Sequence, residues 1–185
     1  LGTETNFPTT EKQRSSIEKL PFNPSKTNYL LHVGSAAWYK NRKAVYKAFR
    51  NTSEKFPNLD LKLILVGPKP QNEELEIGIF DWFQSHPNSL ICLNNLSENS
   101  LSELYKNAKA LVFPSHIEGF GWPPLEAALH GCSVITTHTG AISDLLGKYP
   151  HYVDADVQAS IDQAVLQALQ SPDQKNVPIS LPSHN

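Results

Sequence analysis

Two glutamates with seven residues between them, Glu118 and Glu126, bracket a stretch that reads FPSHIEGFGWPPLE from Phe113 to Glu126. A carboxylate accepts hydrogen bonds at two oxygens, so it can hold both hydroxyls of a vicinal diol such as the 2′ and 3′ hydroxyls of a ribose. On this chemistry Glu126 grips a diol and Glu118 addresses a second hydroxylated group. Between them Gly119, Phe120 and Gly121 offer backbone N–H groups, and glycine lets a ligand come close to the main chain. A helix beginning at Pro123 and Pro124 would set its positive pole behind those groups, which suits a phosphate or a polyhydroxylated ring. Glutamates at this spacing also stand on solvated surfaces, and a lone Gly-x-Gly discriminates little.

Other polar residues read more plainly. Asp154-Ala155-Asp156 imitates an Asp-x-Asp metal motif, but it stands just before an amphipathic segment, where aspartates cap free helix N–H groups. Among the seven histidines, His116, His130 and His138 form no HExxH pair or tight ligand set, so neither a metal site nor a metal cofactor is expected. His116 lies two positions before Glu118 without an identified proton-transfer partner and is left out of catalysis. Trp38 and Tyr39 precede Lys40, where they stack on a base or sugar or pack against a neighbouring domain. Cys92 and Cys132 have no partner at metal spacing and read as buried thiols.

The elements that must position these groups follow from composition and periodicity. The chain has 185 residues, 39% of them hydrophobic, with 16 Lys+Arg against 18 Asp+Glu for a net charge of −2. That balance supplies no basic field to gather nucleic acid or an anionic membrane. The longest apolar runs fall far below the roughly 20 residues of a spanning helix. No positively charged segment leads into an apolar core at the start, so a cytoplasmic location is expected. Methionine is absent even at position 1, which suggests a processed product or an excised piece. Residues 1–27 read as a linker or domain-entry segment, 28–171 as one domain, and 172–185 as a polar, mobile tail.

Within the domain, short apolar runs at Tyr29 to Val33, Leu61 to Val66, Ser89 to Leu93, Ala110 to Phe113, Ser133 to Thr136 and His151 to Val153 predict strands covered on both faces. Helical spacing predicts helices over Arg42 to Phe56, Glu73 to Gln84, Glu98 to Ala108 with Ser97 as N-cap, Leu125 to His130, and Val157 to Leu169. The alternation implies an α/β domain with a Rossmann-like doubly wound parallel sheet and helices on both faces. In such a sheet ligands sit beyond the carboxyl ends of the strands, where the Phe113 to Glu126 loop emerges.

From LLHVG followed by Lys40-Asn41, through LILVG at Leu63 to Gly67, SENSLSELYKNAKALVFPS and EGFGWPPLEAALHGCSVITT, to the late VDADV, residues 28 to 170 resemble one half of a GT-B glycosyltransferase. The resemblance is to the C-terminal, donor-nucleotide-binding domain of retaining enzymes of family 4, the glycosyl transferases group 1 type. It implies that Glu126 binds the ribose of a nucleotide-sugar and Glu118 contacts the transferred sugar. Phe120, Gly121 and Leu125 would add backbone or packing contacts. Lys40 would neutralise the departing diphosphate, Gly34 would admit it near the backbone, and the Asn95 to Leu96 corner would line the base pocket. Many relatives carry Arg after the first-strand glycine, where Ser35 stands here. Arg42 either compensates or turns to solvent or an internal carboxylate.

The resemblance further implies a hexosyltransferase, mannosyl- or glucosyl-, serving polysaccharide or cell-envelope glycan synthesis. Its co-substrate is a nucleoside-diphosphate sugar, with no metal required. Its partner would be the missing N-terminal acceptor domain, without which this piece is expected to be inactive; peripheral membrane contact by the complete enzyme is compatible with this. Two further readings share the fold: a non-catalytic nucleotide-binding or regulatory module, and a sugar-nucleotide epimerase or hydrolase.

Overall fold

A computed structural model describes residues 20–71 and 74–170. The tail at 172–185 and most of the entry segment lie outside the described residues. Six strands form one sheet in the order β3-β2-β1-β4-β5-β6, every neighbouring pair parallel. They are β1 (Tyr29–Val33), β2 (Lys62–Val66), β3 (Leu90–Leu93), β4 (Ala110–Phe113), β5 (Val134–Thr136) and β6 (His151–Tyr152). Each expected strand is present, shortened by a residue at four of the ends. Between and after them run α1 (Arg42–Lys55), α2 (Ile77–Ser85), α3 (Glu98–Asn107), α4 (Trp122–Leu129), α5 (Ile142–Leu146) and α6 (Gln158–Gln170).

Successive side chains of a strand point to opposite faces, and here both faces are apolar. Leu30, Leu63, Ala110, Val112 and Ile135 meet the apolar stripes of α1, α2 and α6. Tyr29, Leu31, Ile64, Leu111, Phe113 and Val134 meet α3, α4 and α5 on the other face. The central strands β1 and β4 are almost wholly buried, which accounts for their unbroken hydrophobic sequence. Leu31 lies in register with Ile64 on one side and Leu111 on the other. The chain already joins this core before residue 28: Leu20 and Phe22 pack on the second face, and the Phe22 ring meets Tyr29 edge-on at 5.7 Å.

Three differences from the sequence reading have local causes. The helix expected over Glu73 to Gln84 begins only at Ile77, so Gly78 falls in its first turn rather than its interior, where glycine would weaken it. The helix expected to open at Pro123 and Pro124 begins one residue earlier, at Trp122, and ends at Leu129 rather than His130. Helix α5 was not expected, being five residues long between a glycine-bearing loop and Gly147. Ser97 does cap α3, its hydroxyl accepting from the Ser100 N–H at 3.2 Å. Cys132 is buried, whereas Cys92 on edge strand β3 is only half-buried.

One polar side chain interrupts β1. His32 has no exposed surface, and its Nδ1 lies 2.9 Å from the Val112 carbonyl, which can only accept, so Nδ1 carries the proton. Nε2 is buried with no hydrogen-bond partner among the described residues. Burial lowers its pKa to about 4, with the charges of Arg42 and Lys40 acting in the same direction against the Val112 hydrogen bond. Between pH 6.5 and 4 the unfolded chain binds the proton that the folded chain refuses, so stability present above pH 6.5 is lost on acidification. The lost fraction is of order 3 kcal/mol. In His32→Phe, urea-unfolding free energy measured from pH 7 to 4.5 should fall less steeply than in the parent chain; parallel slopes would exclude this role.

Candidate functional site

Strands β1 and β4 are neighbours whose connections leave to opposite faces of the sheet. The crevice between their carboxyl ends is the topological switch point of a doubly wound fold, the place where such sheets take ligands. Two loops form it, residues 34–41 after β1 and 114–121 after β4. They are tied together by the His116 N–H, which donates to the Tyr39 carbonyl at 2.8 Å. Asn41, in the left-handed conformation at φ 53°, donates from Nδ2 to the carbonyls of Pro114 at 3.1 Å and Ala155 at 2.9 Å. Asparagine tolerates that backbone better than most residues.

The first carboxylate sits across this junction. Glu118 Oε1 accepts from Lys40 Nζ at 2.6 Å and from the Ser115 hydroxyl at 2.6 Å. The Lys40 and Glu118 side chains are 16% and 8% exposed, so the pair is largely withdrawn from solvent screening. Lys40 Nζ also lies 5.0 Å from the centre of the Phe113 ring. Ser115 is fully buried, and its carbonyl accepts from Thr137 Oγ1 at 2.7 Å, anchoring the loop to β5's end. Glu118 Oε2 has no hydrogen-bond partner among the described residues.

The second carboxylate is held in the same one-sided way. On α4, Glu126 Oε2 accepts from the Tyr105 hydroxyl of α3 at 3.0 Å, leaving Oε1 unpaired among the described residues. Burial, reinforced by the Glu126 charge, pushes the Tyr105 hydroxyl well above its ordinary range, so it remains a proton donor. The Tyr105 ring stacks near His130 at 5.7 Å. His130 joins the two helices, with Nδ1 at 2.7 Å from the Glu126 carbonyl and Nε2 at 2.7 Å from the Ser102 hydroxyl.

Between the carboxylates, the N–H groups of Gly119, Phe120 and Gly121 make no hydrogen bond among the described residues. The helix behind them contributes less than expected, because Pro123 and Pro124 lack N–H groups and the Leu125 N–H is spent on the Gly121 carbonyl at 3.2 Å. Donors to an anion therefore come from the loop itself. That loop is buttressed from β5's side: Gly140, at φ 56°, rests on it so closely that a Cβ there would stand 2.2 Å from the Gly119 carbonyl oxygen. Gly121 at φ 81° meets Ile142 in the same manner, its notional Cβ 2.4 Å from Cγ1.

Other residues singled out from sequence divide into those at the crevice and those turned from it. Gly34 is at the crevice, but its N–H already donates to the Val66 carbonyl at 3.0 Å. Ser35 is exposed, and its hydroxyl accepts from the Ala37 N–H at 3.4 Å. Asn95 takes a left-handed turn at φ 54° after β3, and Leu96 packs on the second core face. Leu125 is buried in that same core, away from the mouth, because it falls on the apolar stripe of α4. Arg42 turns inward: Nε lies 2.9 Å from Glu74 Oε1 and Nη2 donates to the Pro68 carbonyl at 2.8 Å.

Asp154 Oδ1 accepts from the Asp156 N–H at 2.9 Å, a local turn before α6. His116 Nδ1 is 3.6 Å from Asp156 Oδ1. Ser115, Tyr105, Thr137, Asn41 and Gly140 were missed as site residues. Tyr105 lies on the buried face of α3, and nothing in its spacing marks the hydroxyl as a partner of Glu126. A cleft of about 350 Å³ opens at the opposite, amino ends of β2 and β3, lined by Phe56, Trp82 and His86 among others, away from both carboxylates.

Comparison with known proteins places this doubly wound sheet in a family. The chain belongs to the glycosyl transferases group 1 family, whose sequence profile matches residues 13–179. It is 31% identical over 161 residues to the O-antigen chain mannosyltransferase RfbU of Salmonella typhimurium, covering 86% of this chain and 44% of that protein. It is 26% identical over 165 residues to the O-antigen chain mannosyltransferase B of Escherichia coli, covering 85% and 42%. The chain thus spans less than half the length of these relatives. Among solved structures it resembles the UDP-forming α,α-trehalose-phosphate synthase of Burkholderia xenovorans, with a TM-score of 0.62 and 14% identity over 80% of this chain and 38% of that one.

Tyr105 supplies both packing and a hydrogen bond, and two substitutions separate them. Tyr105→Phe should lower unfolding free energy by about 1 kcal/mol, the loss of one hydrogen bond to a partly exposed carboxylate. Tyr105→Ala should cost about 3–5 kcal/mol through the cavity it opens. Equal losses in chemical denaturation would show that the hydroxyl contributes nothing.

Proposed function

We propose that this chain is the donor-binding half of a retaining, family 4 glycosyltransferase, moving a hexosyl group from a nucleoside-diphosphate sugar to an acceptor hydroxyl in cell-envelope polysaccharide synthesis. The observation that carries this reading is the pair of carboxylates bracketing the loop after β4, each anchored through one oxygen and each keeping the other unpaired among the described residues. Glu126 Oε1 would accept from the ribose hydroxyls and Glu118 from a hydroxyl of the transferred sugar. The mannosyltransferase names of the two O-antigen relatives favour mannose as that sugar.

Lys40 and the N–H groups of Gly119, Phe120 and Gly121 would meet the diphosphate as the glycosidic bond breaks and negative charge gathers on the leaving oxygens. Groups already oriented for that charge need no reorganisation at the moment of reaction, which is where electrostatic catalysis gains most. The sugar carbon left behind acquires oxocarbenium character, and no metal is required in this scheme. The acceptor hydroxyl would be presented by a second domain, in keeping with relatives of which this chain covers less than half.

A non-catalytic nucleotide-binding module is favoured by one observation: Ser35 stands where many relatives carry Arg, and Arg42 is engaged with Glu74, so Lys40 faces a diphosphate without a second cation from that loop. Titration calorimetry of the chain with UDP-, GDP- and ADP-sugars should show binding of at least one. Glu126→Ala should weaken it by about tenfold or more, consistent with about 1.5–3 kcal/mol for hydrogen bonds to a charged group. Absence of heat with all three would remove the donor site. Sugar transfer by the chain joined to its upstream half, lost in Glu126→Ala, separates the enzyme from the binding module.

A further inference from the structure

We infer that Glu118 acts as an internal competitor for Lys40, so that the site prefers an intact nucleotide-sugar to the nucleoside diphosphate left after transfer. This rests on the donor-site reading and adds to it a basis for selectivity and product release. Lys40 is the sole Lys or Arg in the sequence of either crevice loop, 34–41 or 114–121. Its ammonium already donates to Glu118 Oε1 at 2.6 Å, in a pair whose side chains are 16% and 8% exposed. The buried Ser115 hydroxyl holds that same oxygen at 2.6 Å and opposes any swing of the carboxylate away from Lys40. Arg42 offers no relief, being paired with Glu74 at 2.9 Å.

An anion that seeks Lys40 must therefore approach a fixed negative charge. A nucleoside diphosphate brings a terminal phosphate with its full charge and no hydroxyl to offer the carboxylate. A nucleotide-sugar carries less charge on that phosphate, now esterified, and presents sugar hydroxyls that donate to Glu118. The same carboxylate thus repels one ligand and rewards the other, the pairing of attraction with built-in repulsion from which discrimination arises. Glu126 makes no such distinction, since both ligands carry the ribose.

The test is calorimetric titration of the 185-residue chain, of Glu118→Gln and of Glu118→Ala, with UDP, GDP and ADP beside UDP-glucose, GDP-mannose and ADP-glucose, thermal unfolding confirming that each variant is folded. For the nucleotide that binds, removing the charge should tighten the diphosphate by about tenfold, the lower range for a neighbouring like charge, and weaken its sugar conjugate. Glu126→Ala should weaken both to a similar degree. Diphosphate affinity unchanged or reduced in whichever Glu118 variant folds would overturn the inference and leave the donor site standing. Failure of the parent chain to bind any of the six compounds would overturn the donor-site reading and this inference together.

Discussion

Everything at the candidate site depends on a split: β1 and β4 lie side by side, yet their connections leave to opposite faces of the sheet. Main-chain groups at the two strand ends are therefore exposed to one another across a crevice, with no helix to fill it. The fold closes that crevice with side chains from both loops. Asn41 reaches from the β1 side to Pro114, His116 returns a backbone hydrogen bond to Tyr39, and Lys40 meets Glu118 between them. A buried ion pair withdrawn from water is costly unless its oxygens and protons find further partners. Ser115 supplies one of them, and its own carbonyl is bound by Thr137 from the next strand.

The second carboxylate relies on a different support. Glu126 rides on a short helix whose first turn is stiffened by two prolines and whose interior face is buried through Leu125, Ala127 and Ala128. Tyr105 and His130 then bind that helix to α3, so the spacing between the carboxylates is set by helix packing on one side and by loop hydrogen bonds on the other. Two glutamates with seven residues between them are thus held by two independent supports.

The sheet was largely legible in the chain because strands buried on both faces read as unbroken apolar runs, and the order of strands and helices admits few topologies. Glu118, Glu126 and the loop N–H groups could be singled out from residue type and spacing, whereas Lys40 was singled out only through the family resemblance. What the sequence could not display was pairing at long range. Arg42, two residues beyond Lys40, carries the same charge but is paired with Glu74, a residue distant in the chain. The hydroxyls of Tyr105 and Ser115 have partners decided by tertiary packing rather than by spacing. Helix α5 escaped notice because five residues hold too little periodicity to separate from a turn.

The contact of Gly140 with the backbone of Glu118 and Gly119 carries a consequence for how such a pocket diversifies. With no room for even a methyl group between them, residues 118–121 and 138–142 share a single wall thickness. Neither segment can be reshaped alone: a bulkier residue on the outer layer displaces the inner one, and a wider inner bend needs the outer to retreat. Changes in this wall would therefore come in pairs, in two stretches some twenty positions apart.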